Sequence, residues 1–433
     1  MPRWLYGLLV FAVLAVLLDL LHLPLPSFVL FIVAGLGLVP LAALIGQAVE
    51  RVAEHTGERV GGLLFATFGN ATELIIGIFA LRAGLVDVVR ASIIGSILGN
   101  ALLVLGVATF IGSIRAGRLQ FETRPASQYA SLFALCAGGL VLPTFAELLA
   151  SHNGLPRAQI TQQGMALSDF IAVMLLLGYL ASILFSIFRV GDQPGSAESD
   201  AFDPVLGERS AAAITRLLAY RHHIARSQRP GRTGVLSKID STVTAIMDHE
   251  GQRQTPAVAP VPIGGTPAPT TATTAQPEDK HALLPALLLL IAATVAVGWL
   301  SDILVSAIGP LTTSLHWNPA FVGLIFIPLI GGLPEYFNTI SMALEKRMEM
   351  VLAASAGSSI QIALLMAPIL VLISLATPVR LDLVFSLVEL AVLGLATFLF
   401  SEITRDGELV WLEGLLLILL YAMMAGTVFI FGA

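Results

Sequence analysis

Long apolar runs, broken at intervals by short polar links, dominate this chain. At about 20 apolar residues per bilayer crossing, they predict roughly eleven helices. The runs cover residues 4–22, 28–50, 62–83, 91–113, 126–147 and 165–188. After a polar break from Arg189 to His281 come 283–306, 318–343, 350–374, 381–401 and 409–432. Setting the first run aside, five spans precede the break and five follow it. An odd number of spans makes a second copy enter the bilayer from the opposite side. The expected fold class is an all-α membrane protein, with one N-terminal helix (1–27) and two inverted five-helix repeats (28–188 and 282–433). Residues 189–281 form the linker between the repeats.

Composition sharpens the class. The chain of 433 residues is 56% hydrophobic and only 12% charged, against roughly 25% charged in an ordinary soluble domain. No soluble core could bury so much apolar surface, so the bilayer itself is a partner. The net charge of −6 says little about other partners, and nothing calls for nucleic acid. Placement of basic residues says more. With the N-terminus inside, short inner segments carry Arg3, Arg51, Arg59, Arg115, Arg118, Arg124, Lys346, Arg347 and Arg405, and outer loops carry only Arg82, Arg90, Arg157 and Arg380. That bias predicts a cytoplasmic N-terminus and an outside C-terminus. The first span has no obvious small-x-small cleavage site and reads as a retained helix. Short loops and no organelle address point to a bacterial inner membrane. Homo-oligomerisation is left open.

Cys136, the only cysteine, lies inside a predicted span, which excludes disulfide frameworks and cysteine-rich metal sites. The linker ends in a Pro/Thr/Ala-rich stretch from Thr255 that cannot build a core and is expected to be disordered. Upstream, residues 211–228 read as a basic amphipathic helix, solvated or lying on the membrane surface. His222, His223 and His249 are too sparse to argue for a metal site. No HExxH motif or convincing nucleophile–base pair appears, so the chain is not read as an enzyme, and no cofactor is expected.

Two runs each carry one glutamate in an apolar setting: GNATELIIGIFAL from Gly69 and GGLPEYFNTISMAL from Gly331. Glu73 and Glu335 both lie four residues after the opening glycine. Each run leads through a short charged link to a small-residue helix, SIIGSILGNALLVLG from Ser92 or SAGSSIQIALLMAP from Ser355. Ala-Leu-Leu at 101–103 and at 363–365 aligns these second elements. An ionised carboxylate near the bilayer centre costs at least about 2.5 kcal/mol, so two at matching points mark a functional site. Either one alone could instead answer a buried arginine or amide.

The neighbouring side chains supply oxygen. Asn70 shares a helix face with Glu73, three residues away. On the partner helix, Ser96 and Asn100 are four apart, beside a Gly95/Gly99 stripe that admits another backbone. The second half adds Asn338 and Thr339 one turn after Glu335, then Ser358, Ser359 and Gln361. With no cysteine or histidine among them, this set suits a hard cation such as calcium, which takes six to eight oxygens. Pro334 removes a helix hydrogen bond and crowds the Ile330 carbonyl. A break or kink just before Glu335 is expected, with the carbonyls of 328–331 available to the cavity or simply kinked for packing. Two carboxylates in one dry cavity repel and resist ionisation, so protons can compete with the cation for them. Asp169 and Glu389 sit deep in their runs without polar neighbours in the sequence. Glu50, Arg51, Glu54 and His55 read as a collar at a helix end.

From Val39 to Gly112, including PLAALIGQAVERVAEHTGERVGGLLFATFGNATELIIGIFAL and SIIGSILGNALLVLG, the chain resembles the first repeat of cation/proton exchangers. These form the CAX branch of the calcium:cation antiporter superfamily. EKRMEM and GSSIQIALLMAPILVL fit the second repeat. The resemblance implies an eleven-helix antiporter moving calcium against protons. It implies Glu73 and Glu335 as carriers, with Asn70, Ser96, Asn100, Ser358 and Gln361 as supporting ligands. The second motif departs from the family's GNAAEH. Gly332 stands in place of asparagine, Pro334 of alanine and Tyr336 of histidine, while Phe65 takes a position that is often asparagine. Asn338 is the candidate to replace the missing amide. Sodium or potassium exchange, and a non-transporting sensor on a degenerate exchanger fold, are the competing readings.

Overall fold

In hydrocarbon a backbone amide or carbonyl without a partner costs several kcal/mol, so an apolar chain of this kind is driven into helices. The computed structural model describes residues 3–22, 25–56, 64, 67–188 and 283–431 and is helical through almost all of them. The linker, its amphipathic segment, the loop histidines and the Phe65 position therefore lie outside the described residues.

In chain order the first elements are α1 (Leu9–Leu20), α2 (Ser27–Thr56), α3 (Ala71–Arg82) and α4 (Val86–Ala116). A two-residue strand β1 (Leu119–Gln120) precedes α5 (Thr123–His152) and α6 (Arg157–Phe188). The second set comprises α7 (Leu283–Leu315), α8 (Pro319–Leu344), α9 (Met348–Ser374) and α10 (Leu387–Ile403). Strand β2 (Glu408–Leu409) and α11 (Trp411–Phe431) complete the chain. Eight of the described helices are long and apolar enough to cross a membrane. The shorter α1, α3 and α10 fall on three further runs expected to do so.

Helices α4 and α9 form the centre. Their apolar stretches are 83% and 78% buried, against 22% for α6 at the periphery. Small residues make this possible. A Cβ on Gly95 of α4 would lie 2.2 Å from the Leu324 carbonyl, and one on Gly323 would lie 2.3 Å from the Val88 carbonyl. Helices α4 and α8 thus touch backbone to backbone, a packing available only to glycine.

Of the break or kink expected before Glu335, the break is absent. Helix α8 runs without interruption from Ile327 to Leu344 with Pro334 inside it. Its irregularity lies upstream, in a π-helical turn at Val322–Phe326. Matching π turns occupy Gly99–Val104 in α4 and Ile362–Met366 in α9, so both contain the aligned Ala-Leu-Leu.

Residues 381–386 also differ from expectation. The apolar run predicted a helix from 381, but α10 begins at Leu387, where Ser386 and Glu389 make reciprocal capping bonds of 3.2 and 2.9 Å. The preceding residues form an extended strap in which Leu381, Leu383 and Phe385 are buried in alternation. Side chains replace the missing backbone ladder. Ser374, Ser168 and Thr144 accept from the amides of Leu381, Leu383 and Phe385 at 2.9–3.0 Å. Ion pairs brace the strap. One guanidinium nitrogen of Arg380 meets both oxygens of Asp169 at 2.6 and 2.7 Å, and Arg90 meets Asp382 at 2.6 Å. Asp169 therefore has a charged partner that its sequence neighbours did not suggest. Glu389 is used as a helix cap. Between α4 and α5, β1 pairs antiparallel with β2, with Leu119 opposite Leu409.

Candidate cation site

The two glutamate helices and their small-residue partners meet in the middle of this packing. Helix α3 begins at Ala71, so Glu73 sits in its first turn and Asn70 immediately ahead of it. Asn100 is the second residue of the π turn of α4, and Gln361 precedes that of α9. Such turns leave backbone groups without their usual partners and recur at functional sites. Here Ser355 answers one of them, donating to the Asn100 carbonyl at 2.7 Å. Ser359 donates to the Ile97 carbonyl at 3.0 Å, binding α9 to α4 in the same way.

A hydrogen-bonded cluster joins the halves. Asn70 donates through Nδ2 to Gln361 Oε1 at 2.9 Å. Asn100 Nδ2 donates to Ser358 Oγ at 2.9 Å. The single hydroxyl proton of Ser358 faces two acceptors, Asn70 Oδ1 at 2.9 Å and Glu335 Oε1 at 3.1 Å. Glu335 and Glu73 are close enough for their charges to interact. Glu73 presses on α8 one turn before Glu335, where a Cβ on Gly331 would lie 2.7 Å from its Cδ and Oε1. Glu73 is 5% exposed, and Glu335 is the more accessible of the two.

The structure thus brings together Asn70, Glu73, Asn100, Glu335, Ser358 and Gln361. Ser96 is buried one turn before Asn100, but its Oγ has no hydrogen-bond partner among the described residues; the same holds for Gln361 Nε2. Asn338 is not gathered in. It is exposed on α8: three residues of helix turn it about 60° from Glu335, toward the side that carries the exposed Phe337 and Ser341. Thr339 is occupied with its own helix, donating to the Glu335 carbonyl at 2.8 Å. Of the collar residues, Arg51, Glu54 and His55 are exposed at the end of α2.

The signature of the sodium/calcium exchanger protein family matches residues 26–188 and 285–430, which contain every member of this cluster. The chain belongs to that family. A protein of Aphanothece halophytica named Ca(2+)/H(+) antiporter is 31% identical to this exchanger over 98% of the chain and 96% of its own length. One of the same name from Synechocystis is 32% identical over 91% of the chain and 89% of its own length. The solved structure of native YfkE superposes with a TM-score of 0.68 at 27% identity, covering 98% of this exchanger and 99% of that chain. No group of three or more His, Cys, Asp or Glu side chains converges among the described residues.

Proposed function

We propose that this chain is a secondary antiporter exchanging calcium, or a similar divalent cation, for protons by alternating access. The observation that carries the reading is the convergence of Glu73 and Glu335, one from each half, on a buried set of amide and hydroxyl oxygens. Relatives that span nearly its whole length and are named Ca(2+)/H(+) antiporters support it. Calcium and protons are cargo in this reading, and no resident cofactor takes part.

In the cation-bound state both glutamates are ionised and contribute four oxygens, with Asn70, Asn100, Ser358 and Gln361 as neutral neighbours. Neutral ligands moderate the charge that must be dehydrated, and calcium tolerates the irregular shell that they form. Ser358 links the two cargoes. When Glu335 is ionised, the Ser358 proton turns to it, which releases Asn70 Oδ1 to the cation. When Glu335 is protonated, it donates to Ser358 Oγ, whose proton returns to Asn70. Cation binding and proton binding then exclude one another at the level of single hydrogen bonds.

The halves are read as inverted five-helix repeats, residues 28–188 and 282–433, with 1–27 as an added helix and 189–281 as a cytoplasmic linker. Exchanging the conformations of such repeats exposes a central site alternately to the two faces. The basic-residue bias favours an N-terminus in the cytoplasm, and short loops without an organelle address favour a bacterial inner membrane. The test is flux in sealed proteoliposomes. An imposed calcium gradient should drive proton movement without sodium; calcium movement that needs sodium, or that carries no protons, would refute the assignment.

A further inference from the structure

Two adjacent glycines of α8 face the cluster in different ways. Gly331 is pressed against Glu73, and an added Cβ there would overlap the carboxylate at 2.7 Å. Gly332 is also buried, yet an added Cβ would meet only Tyr336 Cε2 at 3.7 Å and Asn100 Oδ1 at 4.0 Å. Both distances are ordinary van der Waals contacts, so the cradle at 332 accepts at least one more heavy atom without movement.

The wall of that cradle is polar. Asn100 is only 6% exposed, and its Nδ2 is committed to Ser358. Its Oδ1 is the atom that faces Gly332. A buried carbonyl oxygen is normally satisfied by protein, ordered water or ligand. Beside it, Tyr336 shows a ring edge to the space, and a water there could reach the Asn100 oxygen.

We propose that Gly332 is a specificity-determining residue: the space it leaves beside Asn100 Oδ1 holds a water from the cation's own hydration shell. The inference rests on the calcium/proton reading and adds how the ion is selected. Four carboxylate oxygens and a few neutral ones leave a shell of six to eight incomplete, and a retained water completes it. Calcium, strontium and barium accept such a loose, partly hydrated shell. Magnesium demands a tight octahedron at about 2.0–2.1 Å and surrenders its waters reluctantly. A methyl group at 332 removes the water and supplies no oxygen. An asparagine there removes the water and supplies an amide oxygen on a fixed stem, which narrows the range of ion sizes.

The experiment compares wild type, Gly332→Ala and Gly332→Asn in proteoliposomes at one pH, with calcium, strontium and barium each driving proton flux. Gly332→Ala should reconstitute normally and need roughly tenfold more calcium for half-maximal flux, about 1.4 kcal/mol of lost affinity. Gly332→Asn should recover most of the calcium affinity while its barium-to-calcium ratio falls roughly tenfold. Unchanged ion ratios and affinities in both variants would overturn the proposal. So would failure of Gly332→Ala to fold, because the cradle is claimed to be open to a methyl group. Absence of calcium-driven proton flux in the wild type would instead sink the exchange reading itself.

Discussion

Asn70 and Gln361, 291 positions apart, are joined by a hydrogen bond of 2.9 Å from Nδ2 to Oε1. This bond holds the entrance of α3 against the last α-helical turn of α9 before its π segment. Each residue flanks a glutamate element of a different half, so the bond fixes the spacing of the oxygens between them. Its outer atoms, Asn70 Oδ1 and Gln361 Nε2, differ in use: the first faces Ser358, and the second is buried without a partner.

Glu73→Gln and Glu335→Gln should each abolish coupled exchange while the protein still folds and inserts. Glutamine keeps the shape and one oxygen but cannot carry charge or a titrating proton. Calcium-driven proton flux in proteoliposomes, with thermal stability measured in parallel, checks this. Sustained coupled transport by either variant would remove that glutamate from the mechanism.

Ser358→Ala deletes an oxygen that accepts from Asn100 and serves both Asn70 and Glu335. Leaving such buried partners unanswered costs about 1–3 kcal/mol, so apparent calcium affinity should fall by roughly tenfold or more. The pH dependence of that affinity should also become shallower, since the hydroxyl transmits the protonation state of Glu335 to Asn70. Wild-type affinity with a wild-type pH profile would show that Ser358 only fills space.

Acidification should weaken calcium binding, because protons and the cation compete for the same two carboxylates. Where both glutamates are protonated in the empty site, each unit fall in pH should raise the half-saturating calcium concentration by up to about a hundredfold. At alkaline pH, where both are ionised, the dependence should vanish. Calcium binding followed by calorimetry across pH, with proton release measured in buffers of different ionisation enthalpy, tests the sign. Binding that takes up protons would contradict it.

Alanine at two glycines should give different failures. At Gly95 the new Cβ meets the Leu324 carbonyl at 2.2 Å, so two backbones must separate and thermal stability should drop sharply. At Gly331 it meets the Glu73 side chain, which can swing away. Gly331→Ala should therefore remain folded yet lose most calcium affinity. Equal stability losses in the two variants would count against this distinction.

Arg380→Ala should lower stability by about 1.5–3 kcal/mol, the range for hydrogen bonds to charged groups. The effect should come through Asp169, which both bonds share. In a double-mutant cycle, Asp169→Ala added to Arg380→Ala should therefore cost little more. Additive losses would mean that the pair is not coupled.

Much of this arrangement was legible before any coordinates. Apolar runs of bilayer length, one acidic residue at a matching point in each half and oxygen-bearing side chains at helical spacing follow from periodicity and from the cost of charge in hydrocarbon. They led to Glu73, Glu335, Asn70, Asn100, Ser358 and Gln361. Local pattern could not show which neutral side chains turn inward. Asn338 has the helical spacing of a neighbour of Glu335, yet it lies on the exposed margin of α8. Pro334 signalled a break or kink, but the helix runs on through it, and an irregularity appears upstream in a π turn that no residue pattern announced. The run Leu381–Phe385 is as apolar as a helix, yet it becomes a strap because Ser168, Thr144, Ser374 and Asp169 lie where its amides and Arg380 need them. Those partners come from up to 241 positions away. Composition and periodicity determined that the chain spans a membrane and carries paired acids, since these depend on each residue's own solvation. Contacts between distant elements decided the cluster around Ser358, the strap and the cradle at Gly332, because a hydrogen bond depends on where two chains meet in space.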